Sequence, residues 1–167
     1  MSEHSSNDST LQIRPYQSDD RQAWDVLAAQ TVADGTVFPF ESVEGVAQYW
    51  FAHSGRIWVA CREHVILGTY VLKPNSPDRC SHVANAGYMV DLSSRGQGIG
   101  YALGKHSIDQ ARQLGFRAMQ FNQVVATNRS ALRLWLKLGF QIVGTVPQAF
   151  RHPVESWVDL HIMHRFV

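Results

Sequence analysis

The apolar run "VANAGYMVDL" (83–92) passes directly into "SSRGQGIGYAL" (93–103). Gly96, Gly98 and Gly100 stand between a strand pattern and a helix pattern. This junction constrains the chain more than any other stretch, because a strand must stop and a helix must start within a few residues. A helix start has N–H groups without intrahelical partners and the positive end of the helix dipole. Glycines without Cβ atoms let an anion approach such groups closely. Taken alone, the turn also allows a second reading, a tight strand-to-helix connection that binds nothing.

Three phosphate-binding patterns compete for this turn. A Walker loop requires Lys and then Ser or Thr after its last glycine. Tyr101 and Ala102 follow here, which excludes it. A dinucleotide fingerprint requires G-x-G-x-x-G and an acid about 20 residues later. Position 101 is Tyr and position 120 is Gln, so that pattern fits poorly. The third, R-x-x-G-x-G, is met by Arg95, Gly98 and Gly100.

The rest of the chain alternates strand and helix patterns. "LQIRP" is a short strand. "SDDRQAWDVLAAQTVADG" is a helix capped by Ser18 and stopped by Gly35. "SVEGVAQYWFAHSG" is a second helix, capped by Ser42 and ended by Gly55. "RIWVACRE" and "HVILGTYVLKP" form two strands joined by a tight turn near Glu63 and His64. The helix after the glycine turn closes at Gly115 and the short helix "NRSALRLWLKLGF" closes at Gly139. Between them lies the strand "RAMQFNQVV". "FQIVGTVPQ" and "SWVDLHIMHRF" are the last strands, separated by a loop containing "RHPVE". The order β-α-α-β-β-β-α-β-α-β-β predicts one mixed α/β domain over 11–167, with 1–10 a polar disordered tail.

Composition narrows the partners. The 167 residues are 45% hydrophobic and 17% charged, with a formal net charge of +1. No general positive field attracts nucleic acid or an anionic membrane. No apolar run reaches the roughly 18 residues a membrane span requires. The N-terminus lacks the basic and apolar regions of a signal peptide. Cys61 and Cys80 form no CxxC pair and read as free thiols, so the predicted compartment is the cytoplasm. His161 and His164, three apart on a strand, point to opposite faces, and His152 precedes a proline in a loop. No metal site is expected.

The helix from Asn128 supplies the second half of a longer pattern: R-x-x-G-x-G, a strand, then N-x-x-A-x-x-L-[aromatic]-x-K-L-G-F. On these residues the chain resembles the GNAT superfamily of acetyl-CoA-dependent N-acetyltransferases, most closely over about 84–145. The resemblance implies a mixed sheet, mostly antiparallel, with a splayed parallel central strand pair and about four flanking helices. It implies coenzyme contacts from Arg95, Gly96, Gln97, Gly98, Ile99, Gly100 and Tyr101 to the pyrophosphate. Met89 and Val90 would contact the pantetheine arm, and Asn128 the coenzyme. The implied reaction is attack of a neutral amine on the thioester. Many members carry a Tyr general acid where Trp135 stands here. Indole N–H donates a hydrogen bond but is not an acid near neutral pH. Trp135 is therefore read as pocket wall and substrate contact, or as a plain core aromatic.

Asn85 and Asn122 interrupt otherwise apolar strands, where Asn is disfavoured. Each is read as a substrate-orienting or catalytic group, or as an amide satisfying local backbone at a bulge. Asn85, the glycine turn, "FNQVVATN" and Trp135 together are similar to the fungal-type acetyltransferases that detoxify proline analogues such as azetidine-2-carboxylate and cis-4-hydroxyproline. That narrower resemblance implies a small-molecule amine acceptor and a homodimer. The proton acceptor stays open among Asp91, Glu41 and a water held by Asn85. So does the substrate-carboxylate contact, among Arg14, Arg56 and Arg151. Acetylation of another small amine or of a protein amine, and coenzyme A binding without catalysis, remain alternatives. The absence of an acidic cluster weighs against a polyamine acceptor.

Overall fold

The computed structural model describes residues 10–52 and 56–167. The expected tail lies almost wholly outside them, as does Gly55. The strands are β1 (Gln12–Pro15), β2 (Arg56–Arg62), β3 (Val65–Pro74), β4 (Val83–Val90), β5 (Ala118–Val125), β6 (Gln141–His152) and β7 (Ser156–Phe166). The helices are α1 (Arg21–Asp34), α2 (Val43–Phe51), α3 (Ile99–Gln113) and α4 (Arg129–Lys137). The seven strands form one sheet in the order β1-β2-β3-β4-β5-β7-β6. Every neighbouring pair is antiparallel except β4–β5.

Local chemistry sets the element ends. Ser42 caps α2 by accepting from the Gly45 N–H at 3.1 Å. Ser18 does not cap α1; it opens a 3-10 turn, Ser18–Asp20, entered from Gln17. Glu63 and His64 both have positive φ, the requirement of a two-residue hairpin turn between β2 and β3. α3 and α4 end alike. The Gly115 N–H reaches Arg112 O and the Phe116 N–H reaches Ala111 O. Gly139 and Phe140 repeat this on Leu136 and Trp135. In each case the glycine takes the left-handed conformation that closes a helix.

One strand is longer than its pattern predicts. β6 continues past Gln148 to His152, where a loop is expected. A bulge between Val146 and Phe150 absorbs Pro147, which has no N–H to give the ladder. Pairing with β7 then resumes at Phe150↔Val158.

The sheet separates two apolar clusters. Trp24, Trp50, Val71 and Met89 lie on the side of α1 and α2. Leu103, Met119, Trp135 and Phe140 lie on the side of α3 and α4. α3 and α4 approach closely at Gly104, where a Cβ would fall 2.6 Å from Leu138 and 3.0 Å from Trp135. Cys61 is buried, Cys80 is exposed, and both are free thiols. Among the described residues no helix is long and apolar enough to cross a membrane.

The feature that places the site is the short β4–β5 ladder. Only Val83↔Ala118 and Ala84↔Met119 pair. Beyond them β4 stays on β3 as far as Val90, and β5 stays on β7 as far as Val125. The two strands part like the arms of a V, leaving facing backbone edges without a strand partner.

Candidate active site

A cavity of about 370 Å³ occupies this opening. One wall is β4 from Ala86 to Val90 and the other is β5 with α4, including Phe121, Asn128 and Trp135. The glycine turn closes one end, through Arg95, Gly96, Gly98, Ile99 and Gly100. Thr36, Val37 and Phe38, from the loop after α1, cover it from the side.

The glycines differ in what they do. Gly96 and Gly98 both have φ +80°, and a Cβ on either would meet nothing within 4 Å. The left-handed backbone favours glycine there, and the open space beside each leaves room for an anion to approach. Gly100 lies in the first turn of α3, and its Cβ would touch Leu134 at 3.4 Å, so it also lets α4 come close.

The wall residues act in different ways. The Met89 side chain is buried among the α1 and α2 aromatics and its Cα partner across the β3–β4 ladder is Thr69, while Val90, the next residue, also lines the opening. Asn128 caps α4, accepting from the Ala131 N–H at 3.1 Å and from Ser130 at 3.0 Å. Trp135 packs 4.7 Å from both Tyr88 and Phe121, as a wall. Gln97 and Tyr101 do not line the cavity. Gln97 accepts a 3.3 Å hydrogen bond from Arg62, and the Tyr101 ring lies 4.9 Å from the Lys137 ammonium.

Asn85 and Asn122 lie just past the cavity lining, at the point where the strands part. Asn85 is buried. Its Nδ2 donates to the Gln120 carbonyl at 2.9 Å and to Asn75 Oδ1 at 3.2 Å, and its Oδ1 accepts from the Tyr49 hydroxyl at 3.1 Å. A side chain thus bridges β4 to β5 one residue after their backbone ladder ends. Asn122 lies in the bulge of β5 between Phe121 and Val124. Its amide bonds side chains, donating to Asn75 at 2.7 Å and accepting from Gln120 at 2.9 Å. Asn75 joins the two asparagines, and nothing local in "KPNSP" marks it for that role.

The charged groups are mostly committed. Arg14 pairs with Asp20 and Arg151 with Glu41, each at 2.7 Å. Arg95 pairs with Asp34 at 2.9 Å. Burial opposes ionisation of Asp34, but hydrogen bonds from Thr36 and Arg95 outweigh it and hold its carboxyl below the usual range. Hydrogen bonds from Ser93 and Gln30 likewise hold Asp91 low, as the cap of a 3-10 turn. Burial pushes the Tyr88 phenol well above its ordinary range. Its hydroxyl lies 2.7 Å from Ser107, whose own proton goes to Gly104 O, so Tyr88 donates into the core. No Asp, Glu or His is among the residues lining the cavity. Among the described residues no group of three or more His, Cys, Asp or Glu side chains could hold a metal ion.

A strand-pair opening, a glycine turn at its mouth and a capped helix on its far wall make up the candidate site. The model of the Acetyltransferase (GNAT) family matches residues 21–140. The chain belongs to that family. A GCN5-related N-acetyltransferase from Kribbella flavida is 39% identical, with a TM-score of 0.89 over 94% of this chain and 98% of that one. N-acetyltransferase aca1 of Schizosaccharomyces pombe is 41% identical over 98 residues, 58% of this chain and 47% of that protein. The chain therefore spans about half the length of that relative. A Salmonella typhimurium protein solved with its cofactor acetyl-CoA shares the fold, with a TM-score of 0.83 at 20% identity over 95% of this chain and 94% of that one.

Proposed function

We propose that the protein is an acetyl-CoA-dependent N-acetyltransferase acting on the amine of a small amino-acid-like molecule, with proline analogues such as azetidine-2-carboxylate the favoured class. The observation that carries this reading is the single cavity joining the glycine turn, the unpaired edge of β4 and the start of α4. These parts fit the coenzyme. The N–H groups at the start of α3, with Arg95, suit its pyrophosphate. The edge of β4 at Met89 and Val90, unpaired on its β5 side, suits its amide-bearing arm, as an added strand would. Asn128, its Oδ1 engaged in capping, has its Nδ2 for the coenzyme. When bound, acetyl-CoA supplies the activated acetyl thioester.

The chain's residues position the acceptor. Phe38 and Trp135 wall the space, while Asn85 and Asn122 orient the acceptor where the strands part. A C–N bond forms at the thioester carbon and the C–S bond breaks. With no carboxylate or imidazole in the lining, the amine gives its proton to water. The thiolate leaves without an acid, which a thiol pKa near 8.5 permits.

Coenzyme thiol release across a panel of amines tests this reading. Release above background is expected with azetidine-2-carboxylate and cis-4-hydroxyproline. Turnover of other amines alone would remove the proline-analogue assignment. Acetyl-CoA binding without turnover of any amine would favour a coenzyme A-binding module, a reading to which the missing acid and base lend weight.

A cytoplasmic homodimer belongs to the same proposal. Among the described residues the outer edge of β6 has no strand partner, and β6 exposes Ile142, Val143 and Val146. Such an edge is a template for pairing with another chain. Val143→Lys is expected to shift a sedimenting dimer to monomer; a species of unchanged mass would move the contact elsewhere.

A further inference from the structure

Lys73 is the unexpected cation of this site. It is the penultimate residue of β3, before Pro74, and its Cα partner across the β3–β4 ladder is Asn85. Paired residues in a sheet share a face, and along β4 so do Asn85 and Gly87. A Cβ on Gly87 would meet Phe38 at 3.6 Å, and Phe38 lines the cavity. Lys73 therefore stands on the Phe38 side of the sheet, beside Asn85 and just outside the residues that line the cavity.

Its ammonium lies 3.2 Å from the centroid of the Tyr49 ring, and the Tyr49 hydroxyl donates to Asn85. Burial lowers the Lys73 pKa from its ordinary value. Among the described residues no carboxylate lies within ion-pair distance of Lys73. A half-buried cation held on a neutral ring, beside amide groups, has unmet electrostatic demand. Of the arginines considered from the sequence, Arg14 and Arg151 already hold carboxylates, and Arg56 starts β2 on an exposed position.

We propose that Lys73 binds the carboxylate of the acceptor and thereby selects amines that carry a carboxylate next to the amine carbon. This rests on the acetyltransferase reading and deepens it by assigning the substrate class to one side chain. Asn85 and Lys73 then act on the two ends of one small acceptor.

Matched acceptor pairs test the assignment: azetidine-2-carboxylate against azetidine, and proline against pyrrolidine. The wild-type protein is expected to favour the acid of each pair in kcat/KM. Lys73→Met should reduce that preference by about 10- to 100-fold, the worth of a charge-assisted contact, and mainly through KM for the acid. Lys73→Arg should restore part of it. A preference unchanged in Lys73→Met overturns the assignment while leaving the acetyltransferase reading intact. No turnover of either member of any pair, alongside turnover of other amines, also overturns it. No turnover of any amine removes the reading beneath it as well. Acetyl-CoA affinity, measured by calorimetry, reports whether Lys73→Met is folded.

Discussion

Gly98→Val is expected to weaken acetyl-CoA binding by at least about 100-fold in a protein that still folds. Gly98 precedes α3 with φ +80°. A β-branched residue there costs roughly 1–2 kcal/mol of backbone strain. Nothing lies within 4 Å of the added Cβ, so no clash unfolds the protein. The loss comes instead from N–H groups aimed wrongly and from a side chain standing where the pyrophosphate must approach. Charge-assisted contacts are each worth about 1.5–3 kcal/mol, so losing two accounts for the factor. Gly115→Val separates strain from binding. Gly115 has φ +81° and the same open surroundings, but it lies at the far end of α3. It should lower Tm as much as Gly98→Val and leave acetyl-CoA affinity within about twofold. Equal affinity loss in both variants, read by calorimetry, would show that the turn matters only through the helix it begins.

The glycine turn was legible because its demands are local. Positive φ at 96 and 98 leaves few residues to choose from, and the same holds for the helix ends at Gly115 and Gly139. The splay of β4 from β5 was not legible in this way. Both strands read as ordinary apolar runs, and their opening was expected only through the GNAT resemblance. Asn85 and Asn122 were visible as misfits, but their partners were not. Asn75 lies in a turn-rich stretch where asparagine is common. Lys73 ends an apolar run, where a lysine ordinarily marks a strand leaving the core. Its meeting with Asn85 depends on the β3–β4 register, which a single strand pattern does not specify. Asp34 was equally hidden, as one more polar residue before the glycine that ends α1. Its ion pair with Arg95 joins elements far apart in sequence. Tertiary register, rather than local propensity, separates the legible half of this site from the rest.

Asn85→Leu should damage turnover far more than coenzyme binding. The substitution keeps the γ-branched skeleton and its number of heavy atoms and removes all its hydrogen bonds. The Gln120 carbonyl and the Tyr49 hydroxyl each lose their partner. An unsatisfied buried polar group costs about 1–3 kcal/mol, so the variant should be less stable by about 2–4 kcal/mol. For a chain of this length that lowers Tm by roughly 5–15 °C. Asn75 keeps its bond from Asn122, so the amide cluster is weakened on the β4 side only. The Met89–Val90 edge lies further along β4 and keeps its β3 partners through Gly68↔Val90, and the glycine turn follows beyond it. Acetyl-CoA affinity should accordingly change by less than about threefold. Turnover of the favoured amine should fall by about 100-fold, since the acceptor loses the amide that orients it where the strands part. A parallel fall in coenzyme affinity would instead mean that the Asn85–Gln120 bridge holds the arms of the V at the width the coenzyme needs. That outcome would make Asn85 a positioning residue for the strands rather than a partner of the acceptor.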